Sequence, residues 1–342
     1  MGSEPKTAIP IVDLSPFLCG GGGGDEAGVK LATETIGEAC RHYGFFWIVN
    51  HGVPREHMAR AIELSQAFFA LPDEEKRKVK PAEGSKAPLP AGYSRQPEHS
   101  ADKNEYLMVF SPEFGFNLYP NEPAEFRAIL EECFCMLSKT ALIVQDIVNE
   151  CMGLPANFLK EYNSNRSFDF MTALRYFPTT GAGDNRLSEH QDGNCLTFVF
   201  QDDIGGLEVL KDGEWIPVDP TDGSIIVNVG DIFQVLSNNK FKSAMHRVTR
   251  KSTHRHSFAY FFNLHGKKCM DRAIAAVHDG HRREATVQEI PVQRIHPAAD
   301  EEQDAPSLPP RGRHSHYPLC CLSSHSIINL KSPPQKRAYI LC

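Results

Sequence analysis

The chain has 342 residues, enough to bury a substantial core, and its 41% hydrophobic and 23% charged content is that of an ordinary globular protein. A formal net charge of −7 with pI near 6.1 provides no basic field, which argues against a nucleic-acid or anionic-membrane binder. The longest apolar runs, such as Gly44-Phe45-Phe46-Trp47-Ile48-Val49, are far shorter than the ~20 residues of a membrane span.

Ile9 to Leu14 predicts a short entering strand, followed by a flexible glycine run from Gly20 to Gly24. A helix is expected from about Glu26 to Tyr43, with Ala32, Ile36, Ala39 and Cys40 on one face, ended by Gly44. Phe45 to Val49 reads as a buried strand closed by Asn50-His51-Gly52-Val53-Pro54, and a second helix covers Glu56 to Ala70. The Pro-, Gly-, Lys- and Ser-rich stretch 77–105 predicts a surface loop. A long helix follows over Pro123 to Met152, with Phe126, Ile129, Leu130, Leu137, Leu142 and Ile147 inward.

After Phe168 the pattern changes to short β-branched runs between turn signals: 195–201, 206–210, 215–218, 224–229, 243–248 and 257–263. The fold expected is α+β with a mainly β core, a double-stranded β-helix (jelly roll) flanked by N-terminal helices and a long backing helix. The boundaries expected are an N-terminal region at 8–120, the backing helix at 121–165 and the jelly-roll core at 166–268. Residues 271–342 contain no Phe, Trp or Met and eight prolines, so a disordered tail is expected there, with a short helix possible at 272–277.

The ten cysteines are scattered, and neither Cys133-Phe134-Cys135 nor Cys320-Cys321 has the spacing of a zinc or redox motif. The N-terminus lacks the layout of a signal peptide, and Lys6 stands where a myristoylation motif needs Ser or Thr. Reduced thiols and a cytoplasmic location are the expectation.

His190-Gln191-Asp192 is followed by His246 after 53 intervening residues, and Arg255-His256-Ser257 begins nine residues beyond that histidine. Two imidazoles and one carboxylate can hold one face of an octahedral Fe(II), leaving three positions for cosubstrate and O2. The arginine supplies a planar fork suited to an anionic cosubstrate. On a strand, His190 and Asp192 project to the same side. A lone His-x-Asp is usually a surface or core pair, but here a third ligand, an Arg-x-Ser and a strand-rich context agree.

These stretches resemble the plant-type 2-oxoglutarate- and Fe(II)-dependent dioxygenase superfamily, which includes flavonoid and gibberellin oxidases, ACC oxidase and isopenicillin N synthase. The resemblance is carried by His190-Gln191-Asp192-Gly193, Leu196 to Asp203, Gly205-Gly206-Leu207-Glu208-Val209, Val227 to Asp231, Leu236-Ser237-Asn238, His246-Arg247-Val248 and Arg255-His256-Ser257. It extends to Ile9–Leu14, Gly44-Phe45-Phe46 and Asn50–Pro54, and covers about residues 8 to 268. It implies that His190, Asp192 and His246 bind Fe(II) and that Arg255 and Ser257 grip the far carboxylate of 2-oxoglutarate. Ascorbate is the implied reductant. The implied reaction hydroxylates or desaturates a small organic metabolite or hormone of plant-type specialised metabolism, releasing succinate and CO2. Oligomeric state is left open.

Many relatives carry Asn-Tyr-Tyr-Pro where this chain has Arg175-Tyr176-Phe177-Pro178, so Phe177 replaces the tyrosine that bonds the cosubstrate. Tyr176 substitutes for it only if the strand shifts by one residue. The segment Lys103 to Phe110, Phe261 and Leu264 are candidates for the substrate wall, and His51 is structural in the resembling family. Three alternatives stay open: a catalytically silent relative that binds a small molecule or partner, its closing C-terminal helices missing; an ACC-oxidase-like enzyme needing no 2-oxoglutarate; and a zinc hydrolase, which explains neither Arg255 nor Ser257.

Overall fold

Side chains alternate across a strand, so the run Phe45–Val49 sends Phe45 and Trp47 to one face and Phe46 and Ile48 to the other. All four are buried, which is why the segment reads as a continuous apolar run. The computed structural model, which describes residues 9–18, 25–81, 84, 86–179, 181 and 188–264, repeats this pattern throughout one large sheet. The expectations for 20–24 and 271–342 lie outside the described residues.

The N-terminal elements are β1 (Ile11–Asp13), α1 (Ser15–Leu18), α2 (Glu26–His42), β2 (Phe45–Val49), α3 (Arg55–Ala70), α4 (Asp73–Arg77), β3 (Gly92–Arg95) and β4 (Asn104–Phe110). The helices α5 (Phe126–Cys151) and α6 (Phe158–Tyr162) follow, then β5 (Phe170–Tyr176), β6 (Leu196–Gln201), β7 (Leu207–Lys211), β8 (Glu214–Pro217), β9 (Ile225–Val229), α7 (Asp231–Leu236), β10 (His246–Val248) and β11 (Arg255–Phe262). Eight strands form one sheet in the order β1-β2-β9-β6-β11-β5-β4-β3, and a second sheet has the order β10-β7-β8. Only the β1–β2 pair is parallel among these ladders.

Two apolar layers result. Between the sheets, Phe45, Met108, Phe110, Leu174 and Phe261 of the large sheet meet Leu207, Val209 and Val248 of the small one. On the other face, Ile36 of α2, Phe68 of α3 and Phe126, Leu130, Leu137 and Val144 of α5 pack on Phe46, Phe198, Phe258 and Tyr260. This is the jelly roll with a helical backing, and β11 separates the layers: Ser257, Ala259 and Phe261 face the interior, Phe258, Tyr260 and Phe262 the helices. The N-terminal strands share the large sheet with the core strands. Among the described residues no helix is long and apolar enough to cross a membrane.

Helix α2 begins with Asp25 accepting the Gly28 N–H at 2.9 Å and ends at Gly44, where φ is +70°. A Cβ at Gly44 would lie 2.3 Å from the Lys242 carbonyl oxygen, so the close approach of the two chain segments requires glycine there.

Several expectations are corrected. Leu142 is 36% exposed, because the buried stripe of α5 runs through Leu137, Ala141 and Val144 and places position 142 outside it. The stretch 77–105 is not all loop: β3 pairs antiparallel with β4 as an edge strand, where polar Gly-Tyr-Ser-Arg is tolerated because its backbone bonds supply the ladder. The predicted strand 243–248 is reduced to His246–Val248, and the short helices α1, α4 and α7 lack the length for a periodic signal.

Candidate metal and cosubstrate site

His190 and His246 face each other across a single antiparallel bridge, each N–H donating to the other's carbonyl at 3.0 and 2.9 Å. The expected strand through His190 and Asp192 is that one bridge residue followed by irregular chain that bends over 193–195, yet the side chains still converge. Potential ligand atoms of His190, Asp192 and His246 all lie within 4.8 Å of one another, and all three residues are buried. Each histidine Nε2 stands 3.7 Å from Asp192 Oδ1. Among the described residues this is the group of His, Cys, Asp or Glu that could hold a metal ion.

The surroundings prepare these atoms. Nδ1 of His190 lies 3.0 Å from the Ser188 carbonyl and Nδ1 of His246 lies 3.1 Å from the Ala244 carbonyl. A carbonyl only accepts, so each Nδ1 carries the proton and each Nε2 presents its lone pair to the centre. Asp192 Oδ2 accepts from Thr197 Oγ1 at 2.5 Å and Asn228 Nδ2 at 2.7 Å, which turns Oδ1 toward the histidines. Burial pushes the Asp192 carboxyl up, but the two imidazoles and these hydrogen bonds outweigh it and hold the group below its ordinary range. Burial above all, with the neighbouring His190 acting in the same direction, pushes His246 down to about 4, so its imidazole is neutral at neutral pH. Phe45 closes one side, its ring edge-on to His246 at 5.4 Å between centroids.

The same cavity is lined by Leu174, Tyr176, Val199, Leu207, Val248, Arg255, Ser257, Ala259 and Phe261. Arg255 is buried, donating from Nη1 to Ser257 Oγ at 3.1 Å and from Nη2 to Gln201 Oε1 at 2.7 Å, while its Nε has no hydrogen-bond partner. A buried guanidinium with an unmatched N–H beside a hydroxyl is a fitting receptor for a carboxylate. The donor set opposite it, two imidazoles and a carboxylate, fits Fe(II).

Tyr176 lies in this cavity and Phe177 does not. Register sets this: Leu174 and Tyr176 face the interior, whereas the Phe177 ring meets Arg95, Arg175 and His254 on the other side. The substrate-wall candidates divide. Phe261 lines the cavity, Leu264 packs in the helix-side core, and no residue of β4 lines it, although Phe110 packs on Phe170, which stacks on Phe261. His51 is far from any ligand role: its Nε2 meets the Gly223 carbonyl at 3.1 Å and its Nδ1 accepts the Val53 N–H at 3.2 Å.

Sequence reading missed Thr197, Gln201 and Asn228. All three lie within the stretches that carry the family resemblance, and a polar residue inside an apolar strand (Leu-Thr-Phe-Val-Phe-Gln, Ile-Ile-Val-Asn-Val) was the available signal. Phe45 was assigned to the core without its part in the site.

Residues 9–127 match the family model of the non-haem dioxygenase in morphine synthesis N-terminal region, and residues 168–264 match the 2OG-Fe(II) oxygenase superfamily. Flavanone 3-dioxygenase 2 of Oryza sativa subsp. japonica is 32% identical over 266 residues, 74% of this chain and 72% of the relative. This chain belongs to the 2-oxoglutarate- and Fe(II)-dependent oxygenase superfamily. Neurospora crassa T7H in complex with alpha-KG superposes with a TM-score of 0.67 at 26% identity, covering 76% of this chain and 86% of that one. JOX2 in complex with 2OG, Fe and JA gives a TM-score of 0.64 at 29% identity, covering 77% and 76%. The chain is thus a 2-oxoglutarate-dependent dioxygenase that uses Fe(II), and the catalytically silent reading is not favoured.

Proposed function

We propose that His190, Asp192 and His246 hold the Fe(II) of this dioxygenase, and that Arg255, Ser257 and Tyr176 hold 2-oxoglutarate beside it. The reaction proposed inserts one oxygen atom of O2 into a C–H bond of a small organic metabolite or hormone, or desaturates it, with release of succinate and CO2. The observation that carries this reading is the convergence of two lone-pair nitrogens and one carboxylate oxygen, with Asp192 and His246 lining the cavity that also holds the Arg255 fork.

Iron bound there would supply O2 activation coupled to oxidative decarboxylation of the keto acid. The chain's own residues position and exclude. Ser188 and Ala244 carbonyls fix the histidine tautomers, and Thr197 with Asn228 keeps one carboxylate oxygen occupied. The Arg255 guanidinium holds a dianion by two charge-assisted bonds, its plane set by Gln201 and the Tyr176 ring. Phe45, Leu174, Leu207, Val248 and Phe261 keep the cavity apolar, which suits a small apolar substrate and strengthens each polar contact by excluding water.

The plant relatives support placing the reaction in specialised or hormone metabolism. Ascorbate as reductant and a cytoplasmic location complete the reading. His190→Ala and Asp192→Ala are each expected to abolish substrate-independent 2-oxoglutarate turnover, measured as succinate. Undiminished succinate from either variant overturns the ligand assignment.

A further inference from the structure

In an antiparallel ladder, the pair next to His190↔His246 is Glu189 opposite Arg247, with both side chains on the reverse face. Arg247 Nη1 donates to Glu189 Oε1 at 2.8 Å. Its Nε donates to Glu208 Oε2 at 2.7 Å, an oxygen that also accepts from Thr249 Oγ1 at 2.9 Å. The guanidinium carbon stands 3.7 Å from the centre of the Trp215 ring. Arg247 is therefore held from three sides by the chain segment before His190, by β7 and by β8, and its side chain is only 4% exposed.

The segment carrying His190 belongs to no strand. Its cross-chain links include the two backbone bonds to His246, the Gln191 side chain on the Ser243 carbonyl, the Ser188 N–H on Asp102 Oδ1 at 3.0 Å and, two residues beyond His190, the Asp231 N–H on the Asp192 carbonyl at 2.7 Å. The backbone bonds set the distance between the two histidines, and the Asp231 bond holds the segment on its C-terminal side. The directly adjacent Glu189–Arg247 contact adds a cross-strand hold on its N-terminal side. Metal sites tolerate errors of only ~0.5 Å in ligand position, so a contact of this kind decides affinity.

Resting on the metal-site reading above, we propose that Arg247, through its ion pair with Glu189, is a positioning residue for the metal site: it locks the His190 segment against β10 from the reverse face. Glu189 is half-exposed, and its ion pair among the described residues is the one to Arg247, so its removal is expected to leave the fold intact. Arg247→Lys keeps the charge and loses both the planar fork and the stacking on Trp215.

The test is a Co(II) titration of the full chain, read by ligand-field absorption in the absence of 2-oxoglutarate, with thermal unfolding of the metal-free protein alongside. Glu189→Ala is expected to weaken Co(II) affinity about tenfold, at the lower end of the 10–100-fold typical of residues that orient metal ligands, while the metal-free melting temperature moves little. Arg247→Ala is expected to lose more affinity, with Arg247→Lys between it and the unsubstituted chain. Co(II) affinity unchanged in both Glu189→Ala and Arg247→Lys overturns the positioning role alone. Co(II) binding that survives His246→Ala overturns the metal-site reading and this inference together.

Discussion

Tyr176 lies directly opposite Arg255 in the β5–β11 ladder, and the Arg255 guanidinium stands 4.8 Å from the centre of the phenol ring. The residue that the family pattern would select, Phe177, points to the opposite face. The register thus restores a tyrosine beside the proposed cosubstrate clamp one position earlier in the chain. A buried cation–π contact contributes ~1–2 kcal/mol, so Tyr176→Ala is expected to raise the KM for 2-oxoglutarate about tenfold. Phe177→Tyr should leave that KM unchanged. Steady-state succinate kinetics distinguish the two, and a large effect at Phe177 would place the cosubstrate elsewhere.

Asn228 acts on the proposed metal ligand without touching the metal. Its Nδ2 donates to Asp192 Oδ2 at 2.7 Å from a strand separate from either histidine. Without that bond, the carboxylate can rotate and its buried charge loses a donor. Asn228→Ala should lower metal affinity by about 10–100-fold with the fold retained. Calorimetric titration with Fe(II) under anaerobic conditions measures this, and unaltered binding would mean that Thr197 alone suffices.

His51 supplies an acid-sensitive point away from the site. Burial lowers its pKa from the ordinary 6.5, the Gly223 carbonyl only partly opposing that shift. Nδ1 accepts the Val53 N–H, so the folded state needs the neutral ring. Above about 6.5 neither folded nor unfolded chain binds this proton and stability is unaffected. As pH falls below that value, the unfolded chain takes up a proton that the folded chain resists, and stability declines. The melting temperature should therefore drop between pH 7 and 5, and His51→Gln should show a shallower drop from a lower starting value. An equal slope in both proteins would remove His51 from the account.

Some of this was legible in the residues. His-x-Asp, the distant histidine and Arg-x-Ser are chemically unusual together, and only a short list of sites uses that set. The strands were legible because a sheet buried on both faces needs continuous apolar runs, as in Phe45–Val49 and Arg255–Phe262. Leu142 was misplaced because a one-residue error in helical phase turns a side chain about 100°. The edge strand β3 was hidden because its stability comes from backbone bonds to β4, which composition does not record.

The sequence by itself determined which functional groups the protein owns and which faces of its strands are apolar, since both follow from residue type and period. Only the tertiary structure decided that Tyr176 rather than Phe177 enters the cavity, that Thr197 and Asn228 orient Asp192, and that Glu189 faces Arg247 behind the histidines. These depend on strand register and on contacts between segments more than 30 residues apart, except Thr197, which reaches Asp192 across a bend. A shift of one residue reverses every side chain, and no local pattern encodes which of the two registers the packed sheets will select.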